Sequence, residues 1–288
     1  MAGVVHFVHW RWIFPIGQSP TLSSTLRDAA GQIGASVLNL VIPGECLLCG
    51  DILRHASRLP YCEPCLATPE PMAADYFCAQ CRTPFLSEGP LDHHGVCRRC
   101  RSGLAGYDFA YSFGYYEGPL RKMIHHFKYA GIDVLAGPLG ELMVRALPLD
   151  LQVDMIVPVP LHWRRRVQRG FNQCELLARP LESRLCVPVV RAIRKSRHTE
   201  TQASSSPAER RSNLTGAFVL AGEKIVEGKR VLLVDDVLTT GATVTTCSAL
   251  LRRGGAKSVT VLTLARVDRR PAEGRMAIPA TRAMGGAK

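Results

Sequence analysis

VLLVDDVLTTGATV, residues 231–244, decides the fold of this chain. Val231 to Val234 have the apolar character of a buried strand, and two adjacent carboxylates, Asp235 and Asp236, stand near its end. Leu238-Thr239-Thr240-Gly241-Ala242-Thr243 then turns the chain sharply. ATVTTCSALLRRGGA, residues 242–256, reads as a helix capped by its glycines. Strand, turn and helix in that order form one half of a parallel β-α-β unit.

The flanking sequence repeats this alternation. SVTVLTLARV (258–267) is a final strand, and VDMIVPVP (153–160) is a short buried strand stopped by its prolines. YDFAYSFGYY (107–116) suggests a strand or hairpin, and CVPVV (186–190) a further strand. GPLRKMIHHFKYAG (118–131) has helical spacing at Leu120, Met123, Ile124 and Phe127 and ends at Gly131. LAGPLGELMVRALP (135–148) is a helix with Pro138 in its first turn, and GFNQCELLARPLESRL (170–185) a helix kinked near Pro180. Strands alternating with helices predict an α/β fold, a parallel sheet with helices on both faces. Residues 192–213 carry little apolar character and read as a long mobile loop; residues 268–288 read as a disordered tail. His125 and His126 are expected to be surface or boundary residues.

On this layout Asp235 and Asp236 stand at the carboxyl end of a central strand, where open α/β sheets bind ligands. Backbone N–H groups at the start of the next helix favour an anion such as phosphate. Gly241 allows close approach, and Thr239, Thr240 and Thr243 add hydroxyls. The two carboxylates repel that anion, so they must face hydroxyls or a metal ion. A ligand with phosphate at one end and vicinal hydroxyls beside it is a ribose 5-phosphate. The simpler alternative is a capped helix with acids nearby, but a cap needs one such residue.

Eight of the 11 cysteines form four C-x-x-C pairs: Cys46 and Cys49, Cys62 and Cys65, Cys78 and Cys81, Cys97 and Cys100. Each pair supplies half of a tetrahedral zinc site, and four pairs predict two structural zinc ions with no open coordination position. A disulfide framework would need an oxidising compartment. Residues 44–104 hold few large aliphatics, so this stretch needs the metal to fold. Which pairs share an ion is not legible from spacing. His93 and His94 are expected in an exposed loop, and Cys174, Cys186 and Cys247 as small core residues.

The chain carries a formal charge of +12, and between His162 and Thr215 there are 12 Arg and Lys against four Glu, a difference of +8. That excess is either a solvated face or a surface for anionic partners. IGASVLNLVIPG (33–44), the longest apolar stretch, is broken by Asn39 and Pro43 and is shorter than the ~20 residues that span a bilayer. The first 20 residues lack a basic leader and a cleavage site, so residues 1–36 are expected to be a disordered extension, with its start placed too far upstream, and the chain cytoplasmic.

Residues 231–243 resemble the signature of type I phosphoribosyltransferases: four apolar positions, two acids, two apolar positions, then Thr-Thr-Gly-x-Thr. VPVPLHWRRRVQRGFNQCELLA (157–178), the stretch from TETQ to ERRSNLTGAF (199–218), and the preceding cysteine pairs resemble the ComF family. Its members join a double zinc ribbon to a phosphoribosyltransferase-like domain. The resemblance covers roughly residues 37–267, and implies a zinc-ribbon module over 37–104 and the phosphoribosyltransferase-like domain over 105–267. It implies binding of phosphoribosyl pyrophosphate with Mg²⁺. Val234, Asp235 and Asp236 then lie at the ribose, and Thr239, Thr240, Gly241, Ala242 and Thr243 at the 5-phosphate. Arg169, Gly170, Asn172 and Gln173 lie on the pyrophosphate side, and Lys128 with Tyr129 matches a Lys-aromatic element. Thr199, Gln202, Arg210 and Asn213 match a mobile loop. By this resemblance Asp235, Asp236 and Arg169 are the catalytic candidates. Cys174 stands where alanine is frequent, and Ser204-Ser205-Ser206-Pro207 where an apolar residue is usual. Two functions compete: transfer of the phosphoribosyl group to an acceptor, or ligand sensing and single-stranded DNA contact during DNA uptake without turnover.

Overall fold

The computed structural model describes residues 44–53, 58–103, 105–161, 170–195, 217–222 and 224–268. Expectations for residues 1–36, for the tail beyond Asp268, for Arg169 and for Thr199, Gln202, Arg210 and Asn213 lie outside these residues. The cysteine-rich stretch contributes small elements: α1 (Glu63–Leu66), β1 (Tyr76–Phe77), β2 (Pro84–Phe85) and α2 (Arg98–Arg101), with β1 and β2 pairing antiparallel. Then follow β3 (Phe109–Tyr115), α3 (Gly118–Tyr129), a 3₁₀ turn (Asp133–Leu135), α4 (Ala136–Arg145), β4 (Met155–Pro158) and α5 (Gln173–Leu185). Next come β5 (Ile193–Lys195), β6 (Phe218–Leu220), β7 (Arg230–Leu238), α6 (Ala242–Arg253) and β8 (Ser258–Arg266).

Among the described residues the main sheet has four parallel strands in the order β3-β8-β7-β4. Alternating side chains of these strands feed two cores, as the two-residue period of a strand requires. On one face Ile156, Leu232, Val234 and Leu262 pack against Phe127 of α3, Met143 of α4 and Leu177 of α5. On the other, Val157, Leu233 and Val261 pack against Val244, Cys247 and Leu251 of α6. Both faces are covered, so the strands read as nearly continuous apolar runs.

Two close contacts fix this frame. A Cβ on Gly140 would meet the Pro180 ring at 2.6 Å, so α4 and α5 approach at a residue that has no side chain. Pro180 lies inside α5, which continues from Gln173 to Leu185 as one helix. The outer edge of β3 is also closed: Phe113 O accepts from Met72 N at 2.8 Å, and Ala110 N donates to Gln80 O at 3.0 Å. The cysteine-rich segment thus runs along an otherwise open sheet edge.

Three expectations need correction. CVPVV is a single parallel bridge between Ile156 and Val189, not a strand; Pro188 has no N–H to give a longer ladder. The segment expected to be a loop from residue 192 begins with β5, which pairs antiparallel with β6. Cys186 is exposed and closes α5 in a left-handed conformation at φ 53, so it is not a core residue. Cys174 and Cys247 are buried as expected, and His93 and His94 are exposed.

Candidate functional site

The eight paired cysteines gather into two groups of four: Cys46, Cys49, Cys62 and Cys65, then Cys78, Cys81, Cys97 and Cys100. Pairs next to each other in sequence therefore share a centre. Sγ–Sγ distances are 3.7 Å for Cys49 and Cys62, 3.8 Å for Cys81 and Cys97, and 3.9 Å for Cys78 and Cys100. A tetrahedron with metal–sulfur bonds of ~2.3 Å has edges of ~3.8 Å. The two clusters are thus consistent with two structural zinc ions. No disulfide links any of these cysteines.

The clusters sit on opposite faces of the sheet. Cys46 and Cys65 belong to the core beneath α3, whereas all four cysteines of the second cluster belong to the core beneath α6. The second cluster is fastened by Arg266 at the end of β8. This arginine is 7% exposed and donates to Cys81 O at 2.8 Å and Thr83 Oγ1 at 3.1 Å. Four thiolates around a divalent ion would carry net negative charge, which a buried guanidinium beside them would compensate.

The crevice forms where β7 ends. Asp235 Oδ1 accepts from the backbone N–H of Asp236 at 2.9 Å and from Cys174 Sγ at 3.5 Å. Asp236 pairs with Lys128 Nζ at 2.8 Å, from the last turn of α3. Cys174, Asp235 and Asp236 each bring one ligand atom within 4.8 Å of the others. α5 is aimed into this cluster by its cap: Asn172 Oδ1 accepts from Cys174 N at 3.1 Å, and Asn172 Nδ2 donates to Val159 O at 3.3 Å. The Asn172 side chain is therefore buried in structural bonds. Gln173 is 1% exposed, and its Nε2 has no hydrogen-bond partner among the described residues. Gly170 is exposed, with φ +80.

Gly241, at φ +75, turns the chain from β7 into α6. This left-handed backbone is open to glycine at little cost. Thr239 and Thr240 are exposed, Thr243 is half-buried, and Thr240 Oγ1 accepts from Ala242 N at 3.3 Å. Arg99, inside the CRRC knuckle, reaches this turn from the second cysteine cluster. Its Nη1 donates to Thr240 O at 2.9 Å and its Nη2 to Thr245 Oγ1 at 3.0 Å. A cavity of about 610 Å³ opens beside them, walled by Phe85, Leu86, Tyr107, Leu238, Gly241 and Arg99. Sequence reasoning did not single out Arg99; the only signal is an arginine pair between two ligands, with no periodicity to interpret.

Burial, with the Asp236 charge beside it, pushes the Asp235 carboxyl up from 3.8 to about 7. The folded chain then keeps a proton that the unfolded chain releases above its lower value. The stabilising contribution is fully present below that value and is lost as pH rises through about 7. Asp235→Asn is therefore expected to melt a few degrees above the unsubstituted protein at pH 8, worth ~1–2 kcal/mol once partial exposure is allowed for. The difference should shrink toward pH 4 in thermal melts; a pH-independent difference would contradict the burial argument.

Comparisons with known proteins fall on these same parts of the chain. The double zinc ribbon domain family matches residues 37–104, and the phosphoribosyl transferase domain family residues 172–279. The chain is 35% identical over 237 residues to DNA utilization protein YhgH of Escherichia coli (strain K12), covering 79% of this chain and 99% of that protein. It is 38% identical over 211 residues to Competence protein F of Haemophilus influenzae, covering 68% and 92%. Among solved structures, a glutamine phosphoribosylpyrophosphate amidotransferase from B. subtilis aligns with a TM-score of 0.34 at 23% identity, over 45% of this chain and 26% of that one.

Proposed function

The chain belongs to the ComF family of double-zinc-ribbon proteins with a phosphoribosyltransferase domain, and from that premise we propose that it binds phosphoribosyl pyrophosphate with Mg²⁺ and transfers the phosphoribosyl group. The observation that carries this reading is one convergence. β7 delivers Asp235 and Asp236 to the sheet edge, the Gly241 turn opens α6 directly after them, and Lys128 meets Asp236 from α3.

In this reading the N–H groups and hydroxyls of residues 239–243 seat the 5-phosphate. The Asp235 and Asp236 carboxylates accept from the ribose hydroxyls. Their hard oxygen donors suit Mg²⁺, whereas the Cys174 thiol beside them does not. When bound, Mg²⁺ would neutralise charge on the departing pyrophosphate. Lys128 holds the Asp236 charge in the free protein, and releasing it would add a cation toward the same anion. Protonated Asp235 accepts poorly, so a site near neutrality loads best once that carboxyl has ionised.

The names of the relatives tie the family to competence and DNA utilization. Single-stranded DNA is accordingly one acceptor or partner to test, and the cytoplasm the compartment in which this chemistry is expected. No helix among the described residues is long and apolar enough to cross a membrane. The test is incubation with labelled phosphoribosyl pyrophosphate and Mg²⁺, with and without nucleobases and single-stranded DNA. Pyrophosphate release that depends on one acceptor is the expected result. Bound but unconverted ligand under every condition would overturn transfer and leave a sensor.

A further inference from the structure

We infer that Arg99, borne by the second cysteine cluster, is a phosphate-binding residue of the turn that opens α6, so that the ligand's anionic end is gripped jointly by the zinc ribbon and the sheet. This inference rests on the phosphoribosyl reading above. The guanidinium bonds to the turn at Thr240 O and to the first part of α6 at Thr245 Oγ1. It touches the α-carbon side of Gly241 so closely that a Cβ there would lie 3.0 Å from Nη2 and 3.2 Å from Nη1. The residue that admits a phosphate to the backbone is thus also the residue that admits the arginine.

Charge favours the same assignment. Two carboxylates stand close to the seat, and Lys128 is paired with one of them. Arg99 places a permanent positive charge against the turn that, in this reading, seats the phosphate. Its two bonds use two of the five N–H groups of a guanidinium, a donor fork suited to phosphate oxygens. Arg99 is one of several anchors of the ribbon. Arg266 donates twice to the second ribbon, and Gln80 Nε2 donates to Tyr107 O at 2.7 Å while its own carbonyl accepts from Ala110. Arg99 is exposed and lines the cavity.

The experiment is calorimetric titration of the full chain with ribose 5-phosphate, using Arg99→Ala, Arg99→Lys and Arg101→Ala. Arg101 sits on the same knuckle and faces Asp92 at 3.7 Å, so its loss changes net charge equally without touching the turn. Arg99→Ala is expected to weaken ribose 5-phosphate by at least about tenfold, Arg99→Lys by less, and Arg101→Ala by less than about twofold. Zinc content and melting temperature should hold throughout. The rise in affinity as the phosphate loses its second proton near pH ~6 should also shrink in Arg99→Ala; a purely structural role would leave that step unchanged. Equal affinity of Arg99→Ala and the unsubstituted protein, or an unchanged pH step, overturns the inference while the ligand reading stands. Failure of the unsubstituted protein to bind either ribose 5-phosphate or phosphoribosyl pyrophosphate overturns that reading, and the inference with it.

Discussion

Cys78→Ser is expected to remove one of the two zinc ions that the cysteine clusters fit and to unfold the module that closes the β3 edge. Cys78 is fully buried, and its sulfur is the hub of the second cluster, accepting N–H groups from Cys81 at 3.5 Å and Cys97 at 3.4 Å. A serine hydroxyl is a poor ligand for zinc. Without the ion, the three remaining thiols and Arg266 stay buried with no compensating charge. Structural zinc contributes ~10–16 kcal/mol in small zinc-folded peptides, against a total stability of ~5–15 kcal/mol for an ordinary domain. The loss therefore reaches beyond the ribbon into the α6 core, where all four cysteines pack. Cys49→Ser should do less, because Cys49 is exposed and Cys62 half-buried in the first cluster. Metal analysis should fall from about two zinc per chain to about one in either variant, with the larger drop in melting temperature for Cys78→Ser. Two ions and an unchanged melt in Cys78→Ser would contradict the metal assignment.

The parts of the fold that were legible are those in which neighbouring residues carry the signal. β7, α6 and β8 follow from the apolar run 231–234, from the Val, Leu and Thr of 258–265 and from the Thr-Gly turn after β7, because strand burial and helix start are local properties. The four metal half-sites were legible for the same reason. Their pairing was not: similar gaps between pairs permit sequential or crossed arrangements, and only the chain's path along β3 decides. β5 was missed because Ile193-Arg194-Lys195 has one buried residue of three and gains its order from Phe218–Leu220, across a long stretch of chain. In the site, the acids and the turn were legible. Lys128 came from the family resemblance alone, and the contacts that Lys128, Cys174 and Arg99 make there were not legible, since they arrive from three separate elements and no sequence period connects them to β7. Asn172 shows the opposite limit. A polar residue beside the site by sequence is consumed in folding as the cap of α5.

Asp235→Asn combined with Asp236→Asn is expected to lose phosphoribosyl pyrophosphate affinity by about 100-fold or more. Each carboxylate offers charge-assisted acceptance worth ~1.5–3 kcal/mol that an amide does not match, and both oxygen ligands suited to Mg²⁺ become weaker donors. Neutralising Asp235 relieves burial of charge and the repulsion by Asp236, whereas losing the Asp236 carboxylate leaves Lys128 without its ion-pair partner, so the melting temperature of the double variant is read beside its affinity. The change also frees Lys128 from its ion pair, so any residual attraction for pyrophosphate should rise and not fall. The most direct measurement is a calorimetric titration of the full chain with phosphoribosyl pyrophosphate in Mg²⁺, run beside this double variant. Saturable binding at one ligand per chain, abolished or cut at least about 100-fold in the variant, is what a ribose gripped by paired acids requires. Equal affinity in the two proteins, or no binding to either, would contradict it.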